Sequence, residues 1–252
     1  MYNPPLRASV LGSRDGSSAI GGALPAAVGG TPLDELKATP RTTLRRLPAR
    51  GSYDRALIYA ILDEALLCHV AFAEEGGQPY ALPVNYARVG EHIAIHGAAG
   101  SRLLRALADG VPACVSVTLL DGLVLARSAF HHSMNYRSVV LLGRFKAVTD
   151  REEKRALLTA IVEHILRGRA ADARPPTAAE LDATLVVVLP IVEASAKIRA
   201  GPPVDDPEDM SIPCWAGVVP MALVAGSPIP DPALGPGIAL PESISGYHRP
   251  GK

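Results

Sequence analysis

Residues 126–144 read ARSAFHHSMNYRSVVLLGR, and this stretch decides the fold. His131 and His132 fall in a polar loop. Asn135-Tyr136-Arg137-Ser138 opens a strand, and Val139-Val140-Leu141-Leu142 continues it as a long apolar run. Upstream, residues 93–107 read IAIHGAAGSRLLRAL: a strand, a turn of small residues, then a helix. Gly97, Ala98, Ala99 and Gly100 put almost no side-chain bulk in that turn, so a ligand can reach the backbone. Ser101 serves as N-cap, the helix start exposes free N–H groups, and Arg102 adds a guanidinium fork that matches a phosphate. His96 ends its strand beside the turn and is a candidate hydrogen-bond partner. Together the two stretches have the form of a phosphate-bearing cofactor site.

Working outward, strands come in runs. Leu67 to Ala73 and Tyr80 to Arg88 pair around Gly76-Gly77; Glu91 to His96, Pro112 to Leu119, Leu123 to Phe130 and Tyr136 to Val148 follow, then Thr184 to Ile191 and Ala194 to Ala200. In the last of these Lys197 and Arg199 fall on one face and Ala196 and Ile198 on the other. Helices are expected after Ser52, over Ser101–Ala108, after Asp150 with Glu153, and after Thr177 with Glu180. About eight strands and four helices, with strands seldom alternating with helices, predict a mainly β (α+β) antiparallel barrel with peripheral helices.

Residues 1–50 are rich in Gly, Ala, Ser and Pro and read as a mobile arm. The folded body is expected over 51–220 and a Pro-rich tail without regular structure over 221–252. Twenty-five basic and 25 acidic residues cancel, which argues against nucleic acid or an anionic membrane as partner. No apolar run long enough to span a bilayer and no signal peptide is apparent, so a cytoplasmic protein is expected. Cys68, Cys114 and Cys214 are too few for a disulfide framework; the first two read as inert core thiols. Adjacent residues on an extended chain point apart, so His131 and His132 do not converge on a metal and no metal site is expected. Neither a GxGxxG after a strand nor GxxxxGK[ST] is present, and no GxSxG occurs. Trp215, the single tryptophan, is read either as packing on a planar cofactor or as plugging the barrel end.

Three segments in order resemble the flavin-nucleotide-binding split-barrel superfamily, in its pyridoxamine 5′-phosphate oxidase-related, nitroimidazole-resistance-type branch. Tyr80-Ala81-Leu82-Pro83-Val84-Asn85-Tyr86 is similar to the first FMN-lining strand. His96-Gly97-Ala98-Ala99-Gly100-Ser101-Arg102 is similar to the phosphate-binding turn. Tyr136-Arg137-Ser138-Val139 with Gly143 is similar to the strand that contacts the flavin ring. The resemblance implies an FMN-binding split β-barrel that forms a homodimer with FMN between subunits. It implies Ser101 and Arg102 at the phosphate, Pro83, Val84 and Asn85 along the isoalloxazine, and His96, Arg137 and Ser138 beside it. Trp215 stands where the family places a C-terminal tryptophan. Leu103 replaces the lysine that usually follows Gly-Ser-Arg, and the arginine-rich C-terminal substrate motif of the oxidases is missing, so pyridoxamine phosphate oxidation is not expected. The expectation is an FMN-dependent oxidoreductase acting with a small-molecule substrate or electron donor. Hydride transfer requires no acid–base residue, so no catalytic residue is assigned; His96 is the candidate proton donor. The rival readings are a non-catalytic flavin store or redox sensor, a haem-binding split barrel drawing its axial ligand from His69, His96, His131 or His132, and a deazaflavin protein.

Overall fold

The computed structural model describes residues 35–74 and 76–247; the first part of the expected N-terminal arm, 1–34, lies outside the described residues. In chain order the elements are β1 (Gly51–Ser52), α1 (Arg55–Glu64), β2 (Leu67–Ala73), β3 (Pro79–Asn85), β4 (Ala87–Val89), β5 (His92–Ala98), α2 (Arg102–Ala108), β6 (Pro112–Leu125), β7 (Ser133–Arg144), β8 (Lys146–Ala147), α3 (Arg151–Ile165), α4 (Arg169–Asp172), α5 (Ala178–Ala183), β9 (Thr184–Pro190), β10 (Ala194–Arg199), β11 (Gly217–Pro220) and α6 (Glu242–Ser245). Two wholly antiparallel sheets result. One has the order β1-β10-β7-β6-β2-β3 with β11 added to β6, and the other the order β4-β5-β9-β8. This is the split β-barrel architecture with peripheral helices that the sequence predicts.

The apolar residues explain the layering. Val70, Val115, Val117, Val139 and Leu141 of the larger sheet meet Ile93, Ile95, Val187 and Leu189 of the smaller one, with Ile58, Ile61 and Leu62 of α1 and Leu104 and Leu107 of α2 closing the core. The smaller sheet is covered on its other side too, where Ala94 and Val186 pack on Leu157 and Ile161 of α3. Burial on both faces is why β9 reads as an unbroken apolar run. The larger sheet is different: α1 and the second sheet cover one face, and much of the other is left open.

Several boundaries differ from the sequence reading, each for a local reason. Asp54, not Ser52, caps α1, its carboxylate accepting from the Leu57 N–H at 2.9 Å. The expected return strand to Arg88 breaks after Asn85, so β3 and β4 belong to different sheets. Pro112 to Leu125 is one 14-residue strand rather than two. Its register against β7 shifts between Leu120 and Gly122, so a bulge absorbs what reads as a turn. The small-residue edge Gly217-Val218-Val219-Pro220 pairs with that bent half of β6. The tail is not devoid of regular structure: Glu242–Ser245 forms a helical turn, with the Ser243 hydroxyl 3.4 Å from Asp172. Residues ahead of Gly51 also engage the body. Leu36 is buried in the main core, and Thr39 and Arg41 hydrogen-bond Glu193.

Candidate functional site

The open face of the larger sheet is built from strand alternation. Core residues of β2, β6, β7 and β10 leave the intervening residues pointing outward, and the register aligns them in rows. One row runs Ala81, Ala71, Cys114, Leu142. The next runs Pro83, His69, Ser116, Val140, Ser195. The next holds Thr118, Ser138 and Lys197, and beyond it lie Leu120, Tyr136 and Arg199. Small side chains dominate the middle of this surface, and neighbouring strands lie about 4.8 Å apart, so a flat ring system has room to lie against it. His69 is exposed on it, on β2, one strand in from the β3 edge. Cys114, expected in the core, is instead half-buried on this face, and its thiol pKa is raised by burial. Cys68 is the true core thiol, pushed up to about 12 by desolvation.

The residues singled out by the sequence are distributed over three places. Pro83, Asn85 and Ser138 share the open face; Val84 points the other way, against the core. The Ser138 hydroxyl donates to the Lys197 carbonyl at 3.1 Å. At the second place, Ser101 caps α2 by accepting from the Leu104 N–H at 3.4 Å. Arg102 lies over the Tyr80 ring with its guanidinium carbon 4.2 Å from the centroid and pairs with Glu74 at 3.2 Å. Its charge is therefore already met by a carboxylate and an aromatic face. Gly97 packs closely on α2: a Cβ there would stand 3.3 Å from the Leu104 side chain, which would have to shift slightly. His96 faces opposite to Gly97 and Ile95, on the side of the small sheet shared with Val186. Its Nδ1 is buried without a hydrogen-bond partner, and burial lowers its pKa, so the ring is neutral at pH 7.

The third place is the core-side end of the larger sheet. Arg137 donates two hydrogen bonds to the Asp121 carboxylate (2.9 and 2.8 Å) and two more to Glu64. These carboxylates raise its pKa, Asp121 first. Both faces of its fork are filled, so Arg137 ties α1 to β6 and β7. Trp215 is exposed and folds back over Gly217, where a Cβ would stand 2.9 Å from the indole; it lies on β11 rather than plugging the barrel.

Of the remaining histidines, His131 Nε2 sits 3.0 Å from Asp206, His132 Nδ1 3.0 Å from the Ser128 carbonyl, and His164 Nε2 2.7 Å from the Ala65 carbonyl. Among the described residues, His131, Asp206 and Asp209 are the one group of potential metal ligands, their ligand atoms within 4.8 Å of one another. The hydrogen bond to Asp206, and then the charges of Asp206, Asp205 and Asp209, raise the pKa of His131. A cleft of about 620 Å³ lined by Asp63, Arg88, Glu163, His164, Arg167 and Tyr247 lies apart from the open face. One of its two arginines, Arg88, is held by Asp63 through two hydrogen bonds of 2.7 Å. His69, Ser116, Lys197 and Arg199 were not among the predicted flavin contacts; their common parity on paired strands is the signal that groups them.

No helix among the described residues is long and apolar enough to cross a membrane. No curated protein matches the chain. Among solved structures, the flavocytochrome Anf3 from Azotobacter vinelandii is 39% identical, the match covering 84% of this chain and 98% of that one with a TM-score of 0.79. The FAD and heme binding protein from Mycobacterium smegmatis is 41% identical, over 79% of this chain and 98% of that one, with a TM-score of 0.76. A putative 5-nitroimidazole antibiotic resistance protein from Bacteroides thetaiotaomicron, 22% identical over 59% of this chain and 86% of its own, shares the fold with a TM-score of 0.51. The family model described as pyridoxamine 5′-phosphate oxidase matches residues 54–198. With its split barrel and these relatives, the chain belongs to the pyridoxamine 5′-phosphate oxidase family.

Proposed function

We propose that this chain is a redox protein that holds a flavin and a haem, and that its open sheet face turns toward a second copy of itself. The observation that carries the reading is the platform of small side chains with His69 exposed on it between Pro83 and Ser116. An exposed imidazole on such a surface is a competent axial ligand for haem iron. His131 and His164 spend Nε2 on protein partners, His96 is half-buried on the far side of the small sheet, and His132, whose Nδ1 meets the Ser128 carbonyl and leaves Nε2 open, lies in the loop before β7, outside the rows of the platform. His69 is thus the histidine best suited to the role. The two relatives of about 40% identity, described as a flavocytochrome and an FAD-and-haem-binding protein, support the pairing of cofactors. They favour FAD over the FMN expected from the single phosphate-sized turn at Gly97–Arg102.

A bound flavin supplies electrons as hydride or singly, and a haem singly. The chain's part is to hold, orient and exclude water. Pro83 and Asn85 flank His69 from β3, and Ser116, Val140 and Ser138 floor the platform. Arg137, saturated by two carboxylates, keeps the barrel end closed rather than touching a ligand. His96 enters no step as an acid, because burial keeps its ring neutral. A small-molecule electron donor or acceptor and a homodimer complete the reading. A dimer would cover the apolar parts of the open face, as large exposed patches usually require.

The absorption spectrum of the purified protein tests the reading. Flavin bands and a Soret band are expected together, with FAD as the flavin released on extraction. His69→Ala should lose the Soret band and keep the flavin. A protein with flavin bands alone and extracted FMN returns the function to an FMN-dependent oxidoreductase; no cofactor after reconstitution overturns both. Light scattering should give twice the chain mass.

A further inference from the structure

We infer that residues 221–240 form an arm that grips a second copy of this chain, so that each copy holds the other. Asp231 is the one charged residue of this segment, and Leu223, Val224, Ile229, Leu234, Ile238 and Leu240 make it strongly apolar. Yet all twenty of its residues are exposed, Val224 by 80% and Ile229 by 92%. Both ends are fastened to the chain's own body. Pro220 closes the β11 ladder against Gly122, and the Met221 N–H donates to the Asp121 carbonyl at 3.0 Å. At the other end α6 lines the cleft with Asp63, Arg88 and His164, and its Ser243 lies against Asp172. Between these anchors, residues 222–240 make no hydrogen bond to the rest of the chain among the described residues. Asp231 accepts from the Ala233 and Leu234 N–H groups, and both bonds are internal to the arm.

A tether that merely joins two anchors is expected to be polar, because each exposed apolar side chain costs free energy in water. The six large aliphatic side chains of this one present on the order of 600 Å² of apolar surface, as much as the largest apolar patch of an ordinary monomer. Two arms supply about 1,200 Å², the low end for a specific interface, before the surfaces they cover are counted. Pro228, Pro230, Pro232 and Pro236 fix φ and remove donors, which keeps the segment extended and lowers the entropy lost when it docks. A lipid surface is the poorer occupant. No Lys or Arg occurs between Arg199 and Arg249, so nothing in the arm attracts anionic headgroups, and its unpaired backbone would stay unsatisfied in hydrocarbon. The choice of a second copy rests on the reading above, in which the open face of the larger sheet meets one. β11, from whose end the arm leaves, is a strand of that sheet, so the arm continues the same contact.

Photo-crosslinking and light scattering on the full-length protein test this. Ile229→p-benzoylphenylalanine should give, on irradiation, a covalent product of twice the chain mass. A cross-link confined to one chain overturns the arm's grip on its partner. Leu223→Asp, Ile229→Asp and Ile238→Asp, combined in one variant, put three carboxylates into the contact. The dimer dissociation constant should rise about 100-fold or more, because each carboxylate is desolvated without a partner. All three positions are exposed and outside both core clusters, so the circular dichroism spectrum should match wild type. A variant that dimerises as wild type does overturns the arm; if it also keeps the flavin and Soret bands, the functional reading stands without it. A monomeric wild type overturns the arm and the dimer together and leaves the cofactor spectrum to decide the rest. Wild type that is monomeric in solution but sediments with phosphatidylcholine vesicles, where the triple variant does not, gives the arm to lipid and overturns the inference.

Discussion

Arg137 and Arg199 stand on neighbouring strands, one register row apart, and meet opposite fates. Ile198 pairs with Arg137, and Arg199 with Tyr136, so the two guanidiniums leave opposite faces of the same ladder. Arg137 turns to the core side and is clasped by Glu64 and Asp121. Arg199 turns outward, is the more buried of the two, and has only neutral oxygens. An arginine in a strand therefore says little by itself. The counter-charge decides whether it ties elements together or stands as an isolated cation among neutral oxygens.

The sharpest way to break that contrast is to remove each cation in turn. Arg137→Met leaves Glu64 and Asp121 facing one another without their bridge. The expected loss is about 3 kcal/mol, at the low end for a broken buried pair because the group is partly exposed. Arg199→Met removes a desolvated, repelled charge at the cost of a few hydrogen bonds, and should cost about 1 kcal/mol or less. Urea unfolding midpoints of the two variants measure both; equal losses would make Arg199 a structural clamp and erase the distinction. Arg102 provides the intermediate case, an exposed arginine that already has a carboxylate. Arg102→Ala should change stability by less than about 1 kcal/mol. If it nevertheless strips flavin from the purified protein, the α2 turn holds the cofactor phosphate despite Glu74.

The smallest effect concerns His131, whose partner holds its folded pKa above the ordinary 6.5. A raised folded pKa contributes stability that is full below 6.5 and fades as pH rises through the folded value. The difference in melting temperature between wild type and Asp206→Asn should therefore be greatest near pH 5.5 and shrink by pH 8. A difference independent of pH would mean the contact is an uncharged hydrogen bond.

Local pattern carried most of the fold. The alternation in Leu67–Ala73 and the capping residues Asp150 and Thr177 each mark an element that is present. Asp121-Gly122 misled because a bulge and a turn use the same residues, and only the partner strand tells them apart. The site was less legible. Arg137 lies 73 residues from Glu64 in sequence, so nothing local shows that its charge is neutralised, and it reads as a flavin contact. Val84 was grouped with Pro83 and Asn85 although parity alone turns it inward. The outward parity of Lys197 and Arg199 was plain from the sequence. The absence of a carboxylate beside them is a property of the packed chain, invisible until every neighbour is in place.

One strand, β6, has a divided edge. β7 pairs with it from Pro112 to Val124, while on its other side β2 holds the first part and β11 the last, on either side of the bulge. Hydrogen bonds to β11 and to β2 are thus broken independently. Amide exchange should show this as two regimes on a single strand: early exchange at Val218 and Val219 with the last residues of β6, and late exchange from Ala113 to Val117. The C-terminal segment can peel from the sheet, taking Trp215 with it, while the rows that carry His69 stay in register.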